Sequence, residues 1–310
     1  MLTSAQRTDK IQICDLFRHH ERGLYMGIYI VCTNNGPHLA PIVGGYISQN
    51  LGWRWCFWIP AIYQGCLWIL LIFTLPETLY SNKEGNKLQG LTYSQKLVFH
   101  SKVLDRPIRL RDFGTTFRMI KYAAVILPTI YCATANTYGS LLFGITGSEI
   151  GTTIYKFKTS QTGLFQGIPL TIGCFIGEMC AGWVSDIFAN TYARRHNGHW
   201  KAESRLLLMP LCTTLCIGTA VYGFCIQNRK PWIDSAICMA VSGFGLQVAT
   251  TMVYTYCTDS YEAQSGEIGS VIYCFKAGMW FTLPDWTHLC LQNINCSYCL
   301  YCHILCSSIL

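Results

Sequence analysis

Residues 21–61 read ERGLYMGIYIVCTNNGPHLAPIVGGYISQNLGWRWCFWIPA. After the charged pair Glu21-Arg22, positions 24–47 contain no lysine, arginine, aspartate or glutamate. A helix rises 1.5 Å per residue, so a run of this length crosses the ~30 Å hydrocarbon core of a bilayer. Small residues recur along it at Gly27, Gly36, Ala40, Gly44 and Gly45, with Pro37 and Pro41 between them. In lipid, small side chains let a neighbouring helix approach closely. Each proline removes a backbone donor and bends the helix. The stretch is therefore read as a membrane-spanning helix with a packing face of Gly27, Gly36, Ala40, Pro41, Gly44 and Gly45.

The rest of the 310-residue chain agrees with that reading. Charged residues are 13% of the total, about half the ~25% of an average soluble protein. Aromatic residues reach 14%, and the mean hydropathy is +0.27. Six runs are long and apolar enough to span: 24–47, 53–75, 122–146, 161–184, 206–226 and 232–256. A seventh begins near Ile268 and is expected to break at Pro284-Asp285. None alternates with the two-residue period of a strand, which argues against an outer-membrane barrel. The first 23 residues hold Arg7, Lys10, Asp15, Arg18, Glu21 and Arg22, and have no apolar core for a signal peptide.

The net charge of +7 sits between the apolar runs and forms no continuous basic stripe, so no nucleic-acid partner is expected. If the N-terminus is cytosolic, segments 1–23, 76–121, 185–205 and 257–276 carry 18 of the 23 lysines and arginines. That is the bias of the positive-inside rule. The organisation read from the sequence is a cytosolic segment 1–23, two helices within 24–75, a basic cytosolic linker 76–121, a helix bundle over 122–283 and a Cys-rich tail 284–310.

The quoted stretch closely resembles the fifth helix of fungal twelve-span transporters of the major facilitator superfamily, in the drug:proton antiporter branch, and the loop that follows it. Its glycine–proline pattern is similar to that branch's antiporter motif, with Ala40 where a glycine is usual and an atypical His38. Asp15 and Glu21-Arg22-Gly23 resemble the cytosolic loop before that helix. GLFQGIPLTIGCFIGEMCAGWVSD (163–186), followed by Arg194-Arg195, resembles the eighth helix and its cytosolic loop, with Gly182 and Asp186 in a loosened form of the family's loop motif. TYCTDSYEAQSGE (255–267) resembles the loop after the tenth helix. The likeness covers about residues 15 to 282.

The resemblance implies an all-α membrane protein with a truncated major facilitator fold of six to seven spans. Twelve spans of ~20 residues plus loops need well over about 400 residues. The implied function is proton-coupled, alternating-access transport of a small organic solute or drug in the plasma membrane, with no enzymatic activity and no cofactor. The alternative is a transport-inactive remnant of such a protein. The resemblance also implies cytosolic gating roles for Asp15, Arg22, Asp186, Arg194, Arg195 and Asp259.

Polar groups inside spans are costly and become site candidates on that ground. Asn34, Asn35 and His38 either face a substrate cavity or satisfy carbonyls freed by the prolines. Asn136 and Tyr138, at mid-span, either meet substrate near the midplane or bond another helix. Glu178 is read as a gating partner of Arg194 or Arg195, or as a proton carrier, and Gln247 as a further cavity residue. Most of the 18 cysteines stand singly in apolar runs, as small hydrophobes do. Cys296, Cys299, Cys302 and Cys306 have an iron–sulfur spacing, but Ser307 stands where a proline follows in ferredoxins and there is no second cysteine run. No metal site is expected.

Overall fold

The computed structural model describes residues 22–74, 118–195, 209–261 and 265–292. Every regular element among them is helical. Helix α1 runs Arg22–Leu51 and α2 Trp55–Thr74. A short 3-10 turn, Met119–Lys121, precedes α3 (Ala123–Asn136), a π-helical turn (Thr137–Leu141) and α4 (Leu142–Thr153). Then come α5 (Thr159–Arg195), α6 (Met209–Gln227), α7 (Trp232–Ser260) and α8 (Ser265–Gln292).

Among the described residues, four helices are long and apolar enough by themselves to cross a membrane: Trp55–Phe73, Thr159–Val184, Met209–Gln227 and Trp232–Cys257. The run expected at 24–47 forms α1, but its asparagines, histidine and threonine dilute its apolar character. The run expected at 122–146 forms α3 and α4, which the π turn divides. Two boundaries differ more. The expected cytosolic loop at 185–205 starts as helix, because α5 continues to Arg195 through a stretch with neither glycine nor proline. At 37 residues α5 is about 55 Å long and overreaches the ~30 Å core. The break expected at Pro284-Asp285 is absent, since α8 continues to Gln292. One proline removes one donor, and a long helix absorbs that loss.

Helix α7 is the centre of the assembly, packed on α5, α6 and α3, while α8 lies on α3 and α1 lies on α5. One core cluster joins α3, α6, α7 and α8 through Cys132, Leu215, Leu246, Met252, Ile268 and Ile272. A second, toward the other end, joins Phe143, Phe165, Leu170, Tyr222 and Met239. Lipid tails are as apolar as these side chains, so close van der Waals fit has to hold the helices together. Glycines provide it. A Cβ on Gly173 would run into the Ala240 carbonyl, and one on Gly177 would lie 2.7 Å from the Phe244 carbonyl oxygen.

Candidate functional site

Of the packing face expected on α1, Pro41 and Gly45 meet α5, whereas Gly36, Ala40 and Gly44 do not. A Cβ added at Gly36 or Gly44 would meet nothing within 4 Å, and Ala40 is exposed. The close contact runs through Pro41 and Gly45 together with His38 and Ile42. Gly163 of α5 lies against the Pro41 carbonyl, and a Cβ on Gly167 would come within 2.8 Å of the His38 carbonyl oxygen. On Gly45 a Cβ would stand 2.9 Å from the Thr159 carbonyl oxygen. At the end of this seam Gln49 accepts the Ser160 backbone N–H at 3.0 Å, which caps one of the open donors at the start of α5. Gly27 lies in α1, outside the residues whose surroundings are described.

Asn35 and His38 are each 6% exposed, and His38 belongs to this seam. The backbone of Asn34 is helical, and its side chain lies outside the described set. His38 meets α5 at Gly167, eleven residues before Glu178, which is about 16 Å along the helix. The structure therefore does not bring His38 together with Glu178.

It does bring Glu178 together with Gln247. The Glu178 Oε2 atom accepts the Gln247 side-chain amide and, at 3.0 Å, the Thr251 hydroxyl. Gln247 is 3% exposed and Thr251 half-buried, so the acid of α5 is engaged by two donors one turn apart on α7. This corrects the expected pairing with Arg194 or Arg195. Arg194 is sixteen residues further along the same helix, about 24 Å away, and exposed. Gly182, expected to allow helix contact, has nothing within 4 Å of an added Cβ.

The stripe Gln247–Thr251 continues on α7 to Tyr254. Its ring lies 5.2 Å from Nζ of Lys276, and Tyr273 lies 5.7 Å from the same atom. Lys276 is 8% exposed, on the face of α8 that also buries Ile268 and Ile272. Sequence reasoning counted it with the cytosolic segment 257–276, whereas it stands within α8. The missed signal was its position eight residues after Ile268, where a helix repeats its face. A lysine inside a bundle is costly unless something holds the charge, and two tyrosine faces do so here.

Asn136 ends α3 and is half-buried, and Tyr138 belongs to the π turn. Such turns are frequent at functional sites. The turn presses Gly139 against α7, where an added Cβ would lie 3.0 Å from that of Leu246, the neighbour of Gln247. Glu178, Gln247, Thr251, Tyr254 and Lys276 thus form one polar line between α5, α7 and α8, with the π turn of α3 beside it.

Of the expected gating residues, Asp15 lies outside the described residues. Arg22 opens α1, and Asp186, Arg195 and Asp259 fall in α5 and α7, with side chains outside the described set. The tail cysteines Cys296, Cys299, Cys302 and Cys306 also lie outside the described residues.

The sequence profile of the Major Facilitator Superfamily matches residues 11–284. The chain is similar to the MFS transporter cpaT of Aspergillus oryzae, with 32% identity over 80% of this chain and 51% of that protein. It is 27% identical to the transporter paaT of Penicillium rubens, over 82% of this chain and 47% of the relative. The MFS-type transporter hepF of Aspergillus oryzae is 28% identical, over 80% and 52%. The chain spans about half the length of these relatives.

Proposed function

The chain belongs to the Major Facilitator Superfamily, a family of transporters and not of enzymes, and we propose that it serves proton-coupled, alternating-access transport of a small organic solute or drug. The observation that carries this reading is the Glu178 carboxylate in a membrane-crossing helix, held by Gln247 and Thr251 of α7. A proton arriving at Glu178 removes its charge and adds a donor to a group that otherwise only accepts. The α5–α7 contact is weakened by the loss of a charged acceptor, which is a way to couple protonation to helix movement.

The seam between α1 and α5 supports the same reading. In this proposal α1 and α2 belong to one bundle and α3 to α8 to the other, joined by the linker 76–121. The two bundles rock about a midplane site. The glycine seam at Gly45, Gly163 and Gly167 is the surface along which they part. Asp15, Arg22, Asp186, Arg194, Arg195 and Asp259 act as gating residues at the cytosolic face. The protein resides in the plasma membrane with its N-terminus in the cytosol.

A second reading, a transport-inactive remnant, is favoured by α2, where no residue of Trp55–Phe73 is buried. The test is uptake into proteoliposomes holding the purified chain, beside a full-length relative, under an imposed proton gradient. A panel of dyes and fungicide-like compounds serves as substrate. Saturable, gradient-dependent uptake that Glu178→Gln abolishes is the expected result. Uptake indifferent to the gradient rejects the coupling, and uptake by the relative alone favours the second reading.

A further inference from the structure

Five basic residues fall on the side that the charge bias makes non-cytosolic, and four of them stand at one place. Lys156 and Lys158 lie between α4 and α5, and Arg229 and Lys230 between α6 and α7; all four are exposed. The Tyr155 hydroxyl links the two connections, meeting the Lys230 carbonyl at 3.1 Å and the Ser235 hydroxyl at 3.0 Å. Phe157 packs on Trp232 with ring centroids 6.3 Å apart, and on Phe165 at 5.9 Å. Among the described residues, Lys156 and Arg229 alone combine a side chain with a left-handed backbone, at φ 53° and 49°. Both close the ends of helices: the Lys230 N–H reaches the Cys225 carbonyl and the Phe157 N–H the Gly151 carbonyl, each at 2.9 Å. The acidic residues at this end are Glu149 and Asp234, so it remains cationic.

Beneath these loops an apolar cleft of about 580 Å³ opens between α5 and α7. Phe157 and Trp232 stand at its mouth, and Ile168, Ile172 and Ile237 line it while facing outward. Its floor is where Gly173 meets the Ala240 carbonyl. The α5 wall runs from Gln161 to Ile172, about 16 Å, which is half of the ~30 Å core and so the depth of one leaflet. Aromatic residues at the mouth and cations just beyond it match the order of a bilayer interface.

We propose that this cleft binds an anionic glycerophospholipid of the surrounding membrane, with an acyl chain between α5 and α7 and the phosphate on Lys156, Lys158, Arg229 and Lys230. Charge selects the occupant: any acyl chain fits the apolar walls, and only an anionic headgroup answers the cationic rim. The inference requires that the chain spans a membrane and is independent of what it carries.

The full chain, purified in a non-ionic detergent, is titrated with dioleoyl phosphatidylglycerol or dioleoyl phosphatidylcholine in mixed micelles. Retained lipid is read by native mass spectrometry and thermal unfolding by tryptophan fluorescence, with no transport measured. Phosphatidylglycerol should bind about tenfold or more tightly than phosphatidylcholine. The variant Lys156→Asn/Lys158→Gln/Arg229→Asn/Lys230→Gln should lose that preference; asparagine tolerates the left-handed positions. Ile237→Trp, which fills the cleft, should weaken both lipids. Should the fourfold variant fail to fold, Lys158→Gln/Lys230→Gln should still lower the preference severalfold. Equal binding of the two lipids by the unaltered chain, a preference that survives these charge changes, or unchanged binding in Ile237→Trp would each overturn the proposal.

Discussion

Glu178 of α5 accepts the Thr251 hydroxyl of α7 at 3.0 Å, and the same carboxylate oxygen takes the amide of Gln247 one turn earlier. An acid in a membrane-crossing helix is thereby tied to the central helix of the assembly, and changes at either end have readable consequences.

Replacing Glu178 by leucine removes the acceptor and leaves the Gln247 amide, on a side chain 3% exposed, without its partner. The expected cost is about 1–3 kcal/mol of stability. Glutamine, which keeps an acceptor oxygen, should cost less. Thermal unfolding of both variants in detergent checks this, and equal stability of Glu178→Leu and the unaltered chain would contradict the contact.

The α1–α5 seam makes a contrasting pair. Gly163→Ala pushes a methyl into the Pro41 carbonyl, a backbone atom that cannot swing aside, and should destabilise the chain by about 1–3 kcal/mol. Gly36→Ala adds its methyl to open space on a helix, where alanine is preferred over glycine by up to about 1 kcal/mol. It should be neutral or stabilising. Melting curves of the two purified variants decide the point, and a reversed order would restore Gly36 to the packed face.

Lys276 sits between the faces of Tyr254 and Tyr273. Arginine can keep a cation over the rings, whereas glutamate sets an anion against their negative faces and forfeits an attraction of about 2 kcal/mol when desolvated. Lys276→Arg should elute as a single species on size exclusion and melt near the unaltered chain, and Lys276→Glu should melt well below it. Tolerance of glutamate would show that the aromatic contacts do not hold the charge.

The linker 76–121 carries nine lysines and arginines, the largest share of any segment. It is expected on the cytosolic side. In sealed right-side-out vesicles a protease should spare it until detergent is added. Cleavage in intact vesicles would reverse the orientation and move Arg194 and Arg195 to the opposite face.

Much of the architecture was legible from local patterns. The apolar runs at 53–75, 206–226 and 232–256 return as α2, α6 and α7 within a few residues, because span length and composition are properties of consecutive residues. Glu178 and Gln247 were both legible as candidates, since polar groups stand out inside apolar runs. Their meeting was not legible, because they are 69 positions apart and the helices that carry them touch only through the fold. Lys276 was hidden for a related reason: in sequence it lies at the edge of a polar segment, and its burial follows from α8 packing on α3 and α7.

The sequence by itself determined that this is a helical membrane protein and where most of its spans lie, because the thickness and apolarity of a bilayer constrain each segment separately. Which face of a span packs was decided only by the tertiary structure. Successive residues on a helix are about 100° apart, so neighbouring glycines serve different surroundings. Gly44 has nothing within 4 Å of an added Cβ, while at Gly45 that Cβ would stand 2.9 Å from a carbonyl oxygen of α5. A glycine pattern announces that some helix can approach closely; the rotation and crossing of the partner helix choose which glycine it meets.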